Sequence, residues 1–353
     1  MKTLTLIRHG KPDFPNGERV CLGLTDLPLG TLGKLQAALH GDAYKADHVY
    51  SSYLSRAVQT AKFIDPKAEI VQGLEEMSAG QWDGLCFSEI KEKFPELYAL
   101  RGTAPDTPIP DSEDVFLGQE RFYNAVKSIM EKCDGNVSIV AHSTVIGSFL
   151  CKIKGIPPTQ GRRFKLPYLG ACSFSYDGEF HLINENFLPQ VQLNPSLCRK
   201  LLSAAELPEN VIAHCEAVAE EADLITKALN SKGFNLNSEL IKNAALLHDI
   251  ARLSPNHPAV GAELLAELGF SDIAEIIRQH HDLESKEIDE AAVVYIADKL
   301  TAGNQKISIA DRFSGSLKKC QTPEAIAAHS RRQTQAEELA EKIQNITGTK
   351  LPL

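Results

Sequence analysis

The sequence predicts two folds in one chain: an α/β domain of three layers over residues 1–190 and an all-helical bundle over 191–353. Three observations carry this. The 353 residues exceed the usual size of one hydrophobic core. In the first half, short β-branched apolar runs alternate with stretches of helical spacing, the signature of a parallel sheet covered by helices. In the second half the spacing is helical throughout. Residues 3–8 (TLTLIR) and 136–141 (NVSIVA) read as buried strands, and 30–40, 55–64 and 116–132 as the helices between strands. SFSY at 173–176, the turn pair Asp177-Gly178 and EFHLIN at 179–184 predict a hairpin closing the sheet at an edge. FLPQVQLNPS at 187–196 has two prolines and no helical period, which marks the domain boundary. Beyond it, helices are expected at 209–231, 238–252, 259–268, 271–281, 287–303 and 323–346.

Composition narrows the function. A formal net charge of -9 argues against a protein that lives on nucleic acid backbones, so any phosphate recognition must be local. The eight cysteines are scattered, with no C-x-x-C pair, which fits reduced thiols in a cytoplasmic protein. The apolar run before Arg8 is too short for a signal segment, and no stretch approaches the ~20 apolar residues of a membrane helix.

The first chemical constellation begins at TLIRHGK, residues 5–11, where the first strand should end and where ligands of open α/β sheets gather. Four further segments follow: GLTDLPLGTLGKLQA (23–37), SSYLSRAVQTA (51–61), LEEMSAGQWDG (74–84) and VAHSTVIGSFL (140–150). Together they resemble the histidine phosphatase superfamily in its phosphoglycerate-mutase-like branch, nearest in kind to α-ribazole phosphatases and broad phosphomonoesterases, over about residues 1–190. The resemblance implies that His9 is the nucleophile and becomes phosphohistidine. It implies that Arg8, Arg56 and His142 bind the phosphate, and that Glu76 is the general acid and base, with Glu75 as its rival. It implies no cofactor and a small phosphorylated metabolite as substrate. Three positions depart from the pattern. Ser143-Thr144 stand where Gly-Gly is usual, Lys11 replaces the common Glu, and Asp111-Ser112-Glu113-Asp114 should bring extra acid to the pocket rim.

The second constellation lies on the helical half. His214 opens one helical stretch, His248-Asp249 sits inside an apolar one, and His257, His280, His281 and Asp298 follow. Buried polar pairs are costly unless partnered, and imidazole and carboxylate together suit a divalent metal. The order H, HD, H, H, D resembles the HD superfamily of metal-dependent phosphohydrolases over about 205–305, with bacterial HD proteins that split diadenosine tetraphosphate as the nearest likeness. The resemblance implies that His214, His248, Asp249 and Asp298 hold one ion, and that His257 and His280 add a second with Asp249 bridging. The ion could be Fe, Mn, Zn, Ni or Mg. On a helix His280 and His281 are ~100° apart, so only one is expected to face the metals, and the resemblance selects His280. Arg252, three residues past Asp249, is expected to face a substrate phosphate.

Taken together, the residues predict a bifunctional hydrolase. The first domain would split phosphomonoesters, and the second a nucleotide or related phosphate with a divalent metal. The alternative keeps the phosphatase and makes the second domain a nucleotide-sensing regulatory module without turnover.

Overall fold

Alternation within one strand organises the first half of the chain. In the computed structural model, which describes residues 1–104, 107–318 and 320–351, β1 (Lys2–Arg8) sends Leu4 and Leu6 into one core cluster and Ile7 into another on the opposite face. Around it run α1 (Thr31–His40), β2 (His48–Ser51), α2 (Ser55–Ile64), β3 (Glu69–Ile70), α3 (Phe87–Lys93), α4 (Pro95–Thr103), α5 (Val115–Lys132), β4 (Val137–Ala141), α6 (Ser143–Ile153) and the hairpin β5 (Ala171–Tyr176) and β6 (Phe180–Phe187). The sheet order is β3-β2-β4-β1-β5-β6. β1 to β4 run parallel, and the hairpin closes one edge antiparallel.

Helices cover both faces, giving three layers. Phe122 and Val126 of α5 and Val145 and Phe149 of α6 pack under Leu4, Leu6 and Ile139. Ala57, Ala61 and Ile64 of α2 pack with Ile7, Val49 and Val140 on the other face. Two-sided burial explains why the strands read as continuous apolar runs. The register sets Arg8 opposite Ala141 in β1 and β4 and Ser51 opposite Val140 in β2 and β4. The residues just after these three strands, His9, Ser52 and His142, therefore leave the sheet side by side. Between Trp82 and Glu113, α3 and α4 form a small separate core of Trp82, Ile90 and Ile109.

The chain divides into two compact units, Met1–Val191 and Gln192–Leu353. The second contains α7 (Pro195–Ala204), α8 (Glu209–Asn230), α9 (Ser238–Leu247), α10 (His257–Glu267), α11 (Ser271–Arg278), α12 (Glu290–Lys299), the short hairpin β7 (Thr301–Ala302) and β8 (Gln305–Lys306), α13 (Ile309–Leu317) and α14 (Pro323–Thr347). Every residue of α12 from Ala291 to Lys299 is buried, so it is the central helix of the bundle.

The helical half differs from the sequence expectation at five places. Pro195, read as a breaker, starts α7, because Asn194 caps the helix by accepting from Leu197 N–H and proline suits a first turn. α13 and the β7–β8 hairpin fall where no element or a longer helix was expected. α9 ends at Leu247, so His248 to Ser254 form successive turns. α11 ends at Arg278 and not at 281. There the side chain of Gln279 accepts from Glu284 N–H at 3.2 Å and Lys299 Nζ donates to the His280 carbonyl at 2.8 Å, so side chains satisfy a backbone that no longer continues the helix.

Candidate functional site

The first unit gathers its charged residues where β1, β2 and β4 end. His9 is buried, and its Nδ1–H donates to the carbonyl of Gly10 at 2.7 Å, which leaves Nε2 with the free lone pair. Its ring lies 5.0 Å from that of His142. Arg56, fully buried on α2, donates Nη1 and Nη2 to the carbonyls of Thr25 and Gly23, both at 2.8 Å, and its Nε has no partner. Arg8 donates Nη1 to the Leu166 carbonyl at 2.7 Å, lies with its guanidinium carbon 4.0 Å from the centre of the Tyr168 ring, and also keeps an unpartnered buried Nε. Buried donors without acceptors are costly and point to an anion as their partner. Burial and the neighbouring Arg56 hold the His9 imidazolium well below its usual range, so the ring is neutral. Burial, then His9 and Arg56, do the same to His142.

His142 and Glu76 are placed by one helix start. His142 sits at the N-cap of α6 with extended backbone. Glu76, also buried, accepts from the N–H groups of Thr144 (3.0 Å), Val145 (3.1 Å) and Met77 (3.0 Å). Burial raises its pKa, although these N–H groups and Arg56 oppose the rise. Glu75 points elsewhere: it pairs with Arg121 at 3.0 Å and accepts from Gly73 N–H. Ser143 and Thr144, in place of two glycines, are accommodated as the first helical residues of α6.

The acids expected at the pocket rim are occupied in structure instead. Asp114 caps α5, Glu113 pairs with Arg121 at 2.8 Å, and Asp111 accepts from Gln81. Sequence reasoning missed Ser52 and Tyr168. Ser52 Oγ accepts from Leu54 N–H and lies 2.9 Å from His142 Nε2, which leaves His142 Nδ1 buried and without a partner among the described residues. Ser52 carries no motif by itself, but its place one residue past a parallel strand was a usable signal.

The second unit brings together all six expected ligand residues. His214 donates Nδ1–H to the Gly303 carbonyl (2.8 Å), His248 to Ala245 (2.7 Å) and His280 to Ile277 (2.6 Å). Backbone carbonyls thus fix the tautomers of His248 and His280 with Nε2 lone pairs facing inward, whereas His214 also hydrogen-bonds the Asp298 carboxylate through Nε2, and its pKa is raised although burial opposes the rise. Asp298 Oδ1 lies 3.2 Å from His214 Nε2 and 3.8 Å from His248 Nε2. Asp249 faces both sides: its Oδ2 is 3.7 Å from His248 Nε2, and its Oδ1 is 3.1 Å from His257 Nε2 and 3.6 Å from His280 Nε2. Among the described residues, His248 Nε2, His280 Nε2 and Asp249 Oδ1 are buried without hydrogen-bond partners. Burial lowers the His248 pKa to about 4, so the ring is neutral. Donor atoms of His214, His248 and Asp298 form one group within 4.8 Å, and those of His257, His280 and His281 another. Unpartnered lone pairs at such separations fit divalent metal ions.

His281 corrects the sequence expectation. Because α11 has already ended, the two neighbours are not separated by helical rotation. The His281 ring lies 4.5 Å from His280 and 4.7 Å from His257. Arg252 leaves a turn and not a helix, with Nη1 3.2 Å from His257 Nε2 and 3.6 Å from Asp249 Oδ1. The site opens into a cleft of ≈ 680 Å³, whose lining includes Arg312 and Phe313 of α13 and Arg332 of α14. Lys299 and Arg312, both missed, contact Asp298 at 2.7 and 3.3 Å.

The histidine phosphatase superfamily (branch 1) matches residues 4–185. This chain belongs to that superfamily. The HD domain matches residues 211–303, and the two families together place the chain among the phosphoric ester hydrolases. Phosphoglycerate mutase-like protein 4 of Arabidopsis thaliana is 32% identical over 157 residues, covering 41% of this chain and 68% of the plant protein. Ribonuclease Y of Aquifex aeolicus is 32% identical over 139 residues, covering 36% of this chain and 24% of the relative. An uncharacterized Methanocaldococcus jannaschii protein is 42% identical over 76 residues, and the chain spans 45% of its length. Among solved structures, the α-ribazole phosphatase from Shigella flexneri is 23% identical, covering 52% of this chain and 96% of that one at a TM-score of 0.46. Among the described residues no helix is long and apolar enough to cross a membrane.

Proposed function

We propose that the chain is a bifunctional phosphohydrolase, with a phosphohistidine monoesterase in residues 1–190 and a divalent-metal phosphohydrolase in 191–353. One observation carries this reading: the two units handle phosphate charge by unrelated means, buried arginine N–H groups in the first and inward-facing imidazole and carboxylate lone pairs in the second. The first unit's substrate is a small phosphorylated metabolite. The second unit's is a nucleotide or related phosphate, and Arg252 holds one of its phosphate groups.

In the first unit, His9 Nε2 attacks phosphorus and the P–O bond to the leaving group breaks. Arg8 and Arg56 orient the phosphoryl oxygens, and His142 Nδ1–H donates to them as charge grows. Glu76 gives its proton to the leaving oxygen and later takes one from the water that attacks phosphohistidine. The first step needs neutral His9 and protonated Glu76. His9 is neutral above its lowered pKa, and Glu76 stays protonated until its raised pKa is passed. Activity should therefore rise with pH through the first and fall through the second, an acid-shifted bell. Glu76→Gln is expected to remove the alkaline limb and to slow alkyl phosphates by about 10²–10⁴-fold, with a smaller loss on nitrophenyl phosphate, whose leaving group needs little protonation. Equal losses on both would reject the role.

In the second unit, His214, His248, Asp249 and Asp298 are the residues that would hold one ion, and His257 and His280 with Asp249 a second. A bound divalent ion supplies an acidified water and polarises phosphate. Asp249, which sits among His248, His257 and His280, stays ionised against the cost of burial and keeps its charge for binding.

The test is independence. EDTA should leave the monoesterase untouched and stop hydrolysis of nucleotide phosphates. If EDTA instead silences the monoesterase, and metal restores it without any second turnover, the HD unit is a regulatory module.

A further inference from the structure

α14 lies outside the stretch that matches the HD domain, yet it holds the loop that carries His280 and His281. Arg332 donates Nε and Nη2 to the two oxygens of Asp282, each at 2.6 Å, and Asp282 directly follows His281. Gln335 Nε2 donates to the Leu283 carbonyl at 2.8 Å, and Lys342 Nζ donates to the Lys286 carbonyl and to Glu287, both at 3.3 Å. Tyr295 of the central helix α12 fixes the same point by donating its hydroxyl to the Arg332 carbonyl at 2.9 Å. The 279–287 loop is thus tethered to one helix at three successive places.

A second cleft, of ≈ 800 Å³, shares Arg332 with the candidate metal cleft. Its lining includes Lys286, Arg331, Arg332 and Lys342 against the acids Asp282 and Glu338. Lys342 and Arg332 have acidic partners, whereas the side chains of Lys286 and Arg331 make no hydrogen bond or ion pair among the described residues. Two exposed cations, Lys286 and Arg331, the latter near enough to Asp282 to help lower its pKa, stand beside a guanidinium fork whose present partner is that exposed carboxylate, and together they make a local anion site. A phosphate offers that fork the same pair of oxygens as Asp282, with more charge.

We propose that this second cleft binds orthophosphate, the product of the monoesterase reaction, and that Arg332 couples it to the metal centre. Arg332 pairs with Asp282 or with the bound anion. When it turns to the anion, the 279–287 loop loses its two-oxygen tether at Asp282, and His280 loses the geometry that would help hold the second ion. Arg332 is a positioning residue: it acts on the site through Asp282. The inference rests on the reading of His257 and His280 as ligands of a second ion.

The test uses the full chain and counts metal. Protein loaded with Mn²⁺ is dialysed with or without millimolar orthophosphate, against potassium chloride of equal ionic strength, and assayed by elemental analysis. Wild type is expected to hold two ions in chloride and to fall towards one in phosphate. Lys286→Ala/Arg331→Ala should hold two in both. Arg332→Gln should bind the second ion about 10–100-fold more weakly in either buffer, the usual size of an outer-shell effect. Its retained first ion reports that the domain is folded. The proposal is overturned if wild type keeps both ions in phosphate, if phosphate strips the double variant equally, or if Arg332→Gln keeps wild-type affinity for both. A wild type that holds one ion overturns it too, while one that holds none rejects the metal reading itself.

Discussion

His9→Ala is expected to lower monoesterase kcat by at least about 10⁴-fold, the scale at which loss of a nucleophile leaves only the binding groups at work. The geometry makes this residue irreplaceable. Its Nδ1–H is spent on the adjacent Gly10 carbonyl, so the attacking Nε2 is held in one tautomer and one orientation. His142 is already hydrogen-bonded through Nε2 to Ser52. A brief reaction with ³²P-labelled substrate, quenched in base where phosphohistidine survives, should label one peptide containing His9 in wild type and none in His9→Ala. Label retained by the variant, or mapped to His142, would falsify the assignment. Substrate affinity should change little, because Arg8 and Arg56 remain.

Much of this was readable from residue order, and the failures have physical causes. Arg8-His9 followed a β-branched run and His142 followed another, so the sheet's pairing of β1 with β4 brought them together as expected. Glu76 against Glu75 was a choice between neighbours, and a salt bridge forty-six residues away decides where Glu75 points. Such a partner leaves no local trace. The same limit applies to Asp111, Glu113 and Asp114, whose charge looked like pocket chemistry and is consumed by Gln81, Arg121 and a helix cap. In the helical half, each of the six residues expected as ligands was legible by type and order. The end of α11 was not, because Gln279 and Lys299 stop the helix by tertiary hydrogen bonds and not by a glycine or proline. That one misplaced boundary turned His281 from a member of the cluster into an outsider. Ser52, Lys299 and Arg312 went unseen for a related reason: each acquires meaning only from the side chain it touches.

Asp249→Ala is expected to empty the metal centre, cutting bound metal from one or two ions per chain to near zero and abolishing metal-dependent hydrolysis. Asp249 Oδ1 faces His257 and His280, and Oδ2 faces His248. Asp298 is already shared by His214, Lys299 and Arg312. Its removal therefore takes a charged oxygen from both ligand groups at once, and it leaves Arg252 next to His257 with no anion between them. Asp249→Asn separates charge from shape. It keeps one oxygen in place, so the first ion should survive with weakened affinity and the second should be lost. Elemental analysis after exhaustive dialysis reads both variants. The EDTA-resistant monoesterase serves as the internal control, since the chemistry proposed for Arg8, His9, Arg56, Glu76 and His142 uses no metal. Two ions per chain in Asp249→Ala, with the monoesterase unchanged, would show that this carboxylate does not bridge. Loss of the monoesterase in the same variant would instead mean that the HD unit governs the first reaction, because nothing in the chemistry of His9 requires a metal.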